Sequence, residues 1–175
     1  MHNVSNMEIR SLEAQYEPEV HRCLIQHAAH ELLLNSSSEA TSAWEDRNVS
    51  CDARLTVNAM IGCRIRNHEY IRYNDMTIRA GTEFNSKTEI DKLKNGIQHI
   101  YFYGWLKSEA DLADAWSPFA RFWILRTRGI VRAIDSAEVR PRYNHDGTSF
   151  VTVTGHDLLL NNAFIYDSEG QYTPK

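Results

Sequence analysis

Between Asp52 and Trp105 the chain alternates β-prone stretches with one capped helical segment, and that order leaves few folds open to it. Leu55, Val57, Met60 and Ile61, followed by the alternation from Cys63 to Arg66, predict two short strands with a turn near Asn58. Asn67, His68 and Glu69 make the next turn, ahead of a third strand expected over 70–79. Ser86-Lys87-Thr88-Glu89 matches the S-x-x-E capping box, so a helix is expected to start there and to stop at Asn95-Gly96. The segment 97–106 carries Tyr101, Phe102, Tyr103 and Trp105 and reads as a buried strand.

The flanks complete the pattern. Pro18 suits the first turn of a helix, and Val20, Leu24, His27, Glu31 and Leu34 follow it at helical spacing on one stripe. Asn35 and three serines end that helix, and a polar loop is expected through about residue 48. After the aromatic strand come a short acidic helix over 108–116, closed by Pro118, and an apolar stretch over 119–126 that suits a strand or a buried helix, the strand being favoured. Asp146-Gly147 is a hairpin turn signal before the strand at 150–153, and the polar last dozen residues are expected to fray. The fold expected is an open mixed α/β sheet with an αβββαβ-type core, the first helix packed on one face, and a C-terminal β-hairpin. Without repeats or a linker, residues 1–175 are expected to form a single domain with its core over about 18–160.

A formal charge of -4 and a pI of about 6.0 supply no global basic field, which argues against a dedicated, tight DNA-binding protein and leaves only a local cluster to do such work. Cys23, Cys51 and Cys63 are odd in number and lack C-x-x-C spacing, which argues against a disulfide framework or a four-cysteine zinc site and for a reducing compartment. No apolar run approaches the roughly 20 residues of a membrane span, and the first residues have no signal-peptide apolar region. A cytoplasmic location is expected.

Glu31 is the sharpest anomaly, because a carboxylate on an apolar stripe is costly unless paired, protonated or bound to a cation. Either the stripe's edge is solvated there or Glu31 has a partner. His27, one turn earlier, is either a metal ligand beside it or a hydrogen-bonded rim histidine. Asp52 opens the first strand, where a stiff backbone suits a hard-metal ligand, and where aspartates also serve as turn residues. Asp75 interrupts the third strand as a second acidic candidate. Glu89 and Lys92 lie three apart on one helix face, where a carboxylate for Mg²⁺ and a lysine for water would serve phosphodiester hydrolysis. The capping box also accounts for Glu89 without catalysis. Arg64 and Arg66 share a sheet face by the period of two, and Arg79 is expected to end the adjacent strand of the same sheet. Guanidinium groups suit bidentate phosphate recognition, although ion pairs with Glu69, Asp75 and Glu83 explain them as well. Arg121, Arg126, Arg128 and Arg132 repeat the bias.

The order from Pro18 to Leu106 resembles the αβββαβ core of the PD-(D/E)XK nuclease superfamily. In that superfamily a helix glutamate, a strand-start aspartate and an E-x-K strand bind Mg²⁺. Glu31 and Asp52 match the first two, but the E-x-K strand reads Cys63-Arg64-Ile65-Arg66. Some members carry the acid or lysine on the second helix, which Glu89 and Lys92 would fit. The stretches Asp75-Met76-Thr77-Ile78-Arg79, Thr88-Glu89-Ile90-Asp91-Lys92 and Tyr103-Gly104-Trp105 also look like a group of uncharacterised phage and bacterial proteins. The resemblance implies a Mg²⁺-dependent phosphodiesterase. Glu31, Asp52 and Glu89 would hold the metal, Lys92 would position water, and Arg64, Arg66 and Arg79 would grip nucleic-acid phosphates. Two rivals stand beside it: an inactive nucleic-acid-binding module of the same fold, and an acidic phage-type protein that binds and inhibits a host protein.

Overall fold

A computed structural model of the chain describes residues 13–34, 36–40, 53–81, 88–96, 98–112, 117–137, 141–145 and 147–172. The first half runs α1 (Glu17–Leu34), β1 (Ser36–Ala40), β2 (Ala53–Val57), β3 (Ile61–Arg66), a 3-10 turn (His68–Tyr73), β4 (Asp75–Gly81) and α2 (Glu89–Lys94). The second half runs β5 (Ile100–Leu106), α3 (Glu109–Leu112), β6 (Phe119–Arg126), α4 (Thr127–Ser136), β7 (Arg142–Tyr143), β8 (Ser149–Thr154), α5 (Gly155–Leu160) and β9 (Phe164–Asp167). This is the expected mixed α/β fold, with β5 and β6 antiparallel and the hairpin at residue 147 formed by β7 and β8.

The main sheet has the order β3-β5-β6-β9, with β3 parallel to β5 and the other pairs antiparallel. Strand β5 is buried at every position, as a run of aromatic residues with no charge should be. Alternation divides its side chains between two cores. Phe102 and Ile100 meet Val20, Cys23, Leu24 and Ala28 of α1, together with Ile65, Phe122 and Ile124. Tyr101, Tyr103 and Trp105 face the opposite core, where Trp123, Leu93 of α2, Ile130 of α4 and Leu158 of α5 surround them. Full burial of such a side chain contributes about 1.5–3 kcal/mol, so the seven buried residues of β5 add substantially to both cores. Gly129 lets α4 start against the backbone of Ala163, since a Cβ there would stand 2.3 Å from the Ala163 Cα.

A second, three-stranded antiparallel sheet, β4-β8-β7, closes this second core. Met76, Ile78, Val151 and Val153 turn inward, so the register pairs Asp75, Thr77 and Arg79 with Thr154, Thr152 and Phe150 on the other face. The free edge of β4 is not left open. The Thr77 N–H donates to the Tyr103 hydroxyl at 3.2 Å, and the Arg79 N–H donates to Glu89 at 3.0 Å.

Several expectations are corrected. The strand expected over 70–79 begins only at Asp75, because His68–Tyr73 winds into a 3-10 helix closed by Asn74 in the left-handed region at φ 50°. Asparagine tolerates that conformation, and its side chain is held by Arg121 and Tyr172. Strands β3 and β4 are not neighbours, since β4 pairs with β8 in another sheet. The loop expected after Asn35 contains β1, which pairs antiparallel with β2 through backbone bonds that its polar composition does not announce. The C-terminal residues expected to fray include β9 and a docked Tyr172, whose ring stacks on Phe164 with centroids 5.1 Å apart. No helix among the described residues is long and apolar enough to cross a membrane.

Candidate functional site

Helix α2 starts two residues later than the expected box requires. Thr88 is its N-cap, accepting from the Asp91 N–H at 3.2 Å, while Asp91 Oδ2 accepts from the Thr88 N–H at 2.9 Å. That bond from Thr88 holds the Asp91 carboxyl below its ordinary range. Glu89 is therefore not the residue that closes the box, and its side chain is used elsewhere. Its Oε2 accepts from Arg64 Nη1 at 2.8 Å and from the Arg79 N–H at 3.0 Å, and its Oε1 accepts from the Tyr101 hydroxyl. One carboxylate thus ties β3, β4 and β5 to α2. Burial is the largest influence on Arg64 and works against its charge, but Glu89, Tyr101, Tyr103 and Glu13 together outweigh it and hold the guanidinium pKa above its ordinary value. Burial, followed by the Glu89 charge, raises the Tyr101 phenol well above its usual range and keeps it a donor.

In front of this hub lies a cavity of about 420 Å³ between β3 and the outer face of the three-stranded sheet. Arg64 and Arg66 reach it from β3, Arg79 from β4 and Arg142 from β7. Asp75 is the single carboxylate among its lining residues, against these four arginines. Arg66 lies over the Tyr70 ring at 4.1 Å from its centroid. Arg64 Nε is a buried donor with no hydrogen-bond partner among the described residues. Burial raises the Asp75 carboxyl, opposed by the nearby Arg66 and Arg142. The arrangement is suited to an anion with several oxygens, because forked donors approach one space from three directions.

The structure brings Arg64, Arg66 and Arg79 to one cavity with Glu89 behind it. Among the described residues, the candidates Glu31 and Lys92 do not join them. Glu31 lies on the α1 side of the main sheet, where Arg126 donates to it through Nε at 3.0 Å and through Nη2. That pair resolves the anomaly of a carboxylate on the apolar stripe. His27 stacks on Tyr166, with centroids 3.9 Å apart. Lys92 is exposed on α2 and does not line the cavity. Asp52 lies outside the described residues.

Glu31 and Glu89 therefore do not converge on one magnesium ion in the way that the nuclease resemblance implies. Glu31 and Glu89 stand on opposite faces of a sheet, and both Glu89 oxygens already accept from protein donors. Among the described residues no group of three histidines, cysteines or acids is placed to hold a metal. The Cys63 thiol, pushed up to about 12 by burial and then by Glu13 and Glu17, is an inert packing group.

Sequence reasoning did not single out Arg142, Tyr70 or Tyr73, all placed at the cavity by the hairpin and the 3-10 turn. The Asp146-Gly147 turn signal located the hairpin without showing which face it would present. The later arginines are structural where their bonds are seen: Arg121 pairs with Asp167, Arg126 with Glu31, and Arg132 with the Asn161 carbonyl at 2.9 Å. Comparison of the chain with known family models, with characterised proteins and with solved structures finds no match to any of them.

Proposed function

We propose that this protein binds nucleic acid by its phosphodiester backbone, in the arginine-lined cavity between β3 and the β4-β8-β7 sheet. The observation that carries this reading is the convergence of four guanidinium groups on one cavity in a chain whose net charge is -4. A local cluster of arginines on an acidic chain is built by the fold and not by the overall composition. The buried Arg64 Nε–H supports it, as a donor whose desolvation an incoming phosphate oxygen would offset. Recognition of the backbone also agrees with a lining in which arginines stand beside Asn144 and the hydroxyl groups of Thr77, Ser149 and Thr152, side chains of the kinds that bond phosphate oxygens. A cytoplasmic setting, expected from the cysteine usage, would supply the ligand. The phosphodiesterase reading draws no support from the placement of Glu31, Glu89 and Lys92.

The test is fluorescence anisotropy of a labelled oligonucleotide against increasing KCl. Affinity is expected to fall with salt, and Arg66→Ala and Arg142→Ala are each expected to flatten the slope by about one unit. Arg66 and Arg142 are chosen because neither forms the Glu89 pair that holds the fold. Binding that ignores both substitutions and salt would overturn the reading. Cleavage of the probe with Mg²⁺ or Mn²⁺, abolished by Asp52→Ala, would restore the metal-dependent enzyme in its place.

Asp75 supplies a second expected outcome. Removing its charge with Asp75→Asn should tighten oligonucleotide binding about fivefold, the effect of about 1 kcal/mol of relieved repulsion at partly exposed range. Because burial raises this carboxyl in the folded state, wild-type binding should strengthen as pH falls through that raised pKa. Asp75→Asn should remove that part of the pH dependence. The stability contribution has the same sign: it is fullest below the unfolded carboxylate pKa and is lost as pH rises to the folded value. Binding isotherms across pH 4–7 for the two proteins would check it, and parallel curves would refute it.

A further inference from the structure

We infer that the cavity takes an unpaired nucleotide, so that the ligand is single-stranded nucleic acid rather than duplex. The inference rests on the nucleic-acid reading above and narrows it. Tyr70 and Tyr73 both line the cavity and sit three apart in the 3-10 turn His68–Tyr73. Residues at that spacing eclipse one another in a 3-10 helix, so the two rings rise from the same side. Their centroids are 6.5 Å apart. Each carries a guanidinium, Arg66 over Tyr70 at 4.1 Å and Arg72 over Tyr73 at 4.9 Å. Yet Tyr70 remains 37% and Tyr73 55% exposed. Large aromatic rings left open beside a cationic cavity match the requirement of an unstacked base, whose faces need a partner when its phosphate is gripped. Guanidinium planes on the same rings extend that stacking surface.

The size of the cavity agrees. About 420 Å³ lies within the range of pockets for single small ligands, roughly 300–1,000 Å³. A duplex would present its phosphates from outside with every base face hidden in its own stack, and would leave both tyrosines unused. A single strand presents a phosphate and a base together. The sugar is not discriminated by arginines and tyrosines alone, so DNA and RNA strands share this chemistry.

The experiment compares labelled oligothymidylate, labelled oligouridylate and a duplex of equal length, about 20 nucleotides, at one salt concentration. Wild-type protein is expected to bind at least one of the single strands tenfold or more tightly than the duplex. Tyr73→Ala should weaken single-strand binding about tenfold while leaving the salt slope unchanged, and Tyr73→Phe should retain binding. Tyr73 is exposed, and a melting curve for each variant confirms that the fold persists. Equal affinity for duplex and single strands, with Tyr73→Ala silent and Arg66→Ala still damaging, would overturn this inference and leave the backbone reading standing. No binding to any of the three probes would overturn both. Binding of inorganic phosphate with equal strength and with no contribution from Tyr73 would reduce the site to an anion pocket and overturn the strand proposal.

Discussion

Arg121→Ala is expected to destabilise the protein by about 3–5 kcal/mol, the cost of breaking a buried ion pair by removing one partner. Arg121 is only 3% exposed, although it carries a charge. Its Nη1 donates to Asn74 Oδ1 at 2.6 Å, and its Nε and Nη2 reach the two Asp167 oxygens at 3.4 Å each. Nη2 also donates to Gln171 at 3.2 Å, and the guanidinium lies 4.9 Å from the centre of the Trp123 ring. Removing it leaves Asp167 buried beside a void, and unties the residues that follow β9. The Tyr172 N–H, which donates to Asp167 at 3.0 Å, would be released with them. Urea denaturation measures the loss, and limited proteolysis near the C-terminus should accelerate in step. Arg121→Met, combined with Asp167→Leu, should recover part of the loss, because the buried Asp167 charge goes with its partner and Glu169, which also pairs with Arg121, is partly solvated. The Glu169 and Tyr172 N–H groups still lose their acceptor. A loss below about 1 kcal/mol for Arg121→Ala would show that the pair is incidental.

Glu89→Ala is the second large effect, and it tests whether one carboxylate holds the cavity's framework. The substitution strands the Arg64 guanidinium, the Arg79 N–H and the Tyr101 hydroxyl at once, so a loss of about 3–5 kcal/mol is expected. Glu89→Gln retains the shape and one acceptor and should lose less. In a double-mutant cycle with Arg64→Ala, the combined loss should fall short of the sum by about 1–3 kcal/mol, because each single change removes the same bond. Additive losses would mean that Arg64 and Glu89 are near each other without depending on each other.

Much of the scaffold was legible because local patterns and tertiary demands agree there. The stripe of Val20 and Leu24, with Pro18 suited to the first helical turn, marks α1. Aromatic content defines β5, and the Asp146-Gly147 signal lies in the β7–β8 hairpin connection. The same-face placement of Arg64 and Arg66 follows from strand alternation alone. The start of α2 shows where local reading stops. Ser86 with Glu89 and Thr88 with Asp91 both satisfy the same capping pattern three residues apart, and nothing local separates them. The choice falls to Thr88 because Glu89 is claimed by groups on β3, β4 and β5 that are remote in sequence.

The candidate site divides along the same line. Residue types and their faces, Arg64, Arg66 and Arg79 on β-prone segments and Glu31 on an apolar stripe, were set by the sequence itself, since alternation and helical spacing need no distant partner. Which of them meet was decided only in three dimensions. Pairing of β4 with β8 instead of β3 carries Arg79 into a separate sheet and swings Arg142 in beside it, across a gap facing β3. Packing of α1 on the opposite side of the main sheet takes Glu31 away to Arg126. Strand partners are selected by backbone hydrogen bonds that every residue offers alike and by the fit of two whole apolar faces, so no short motif records the selection.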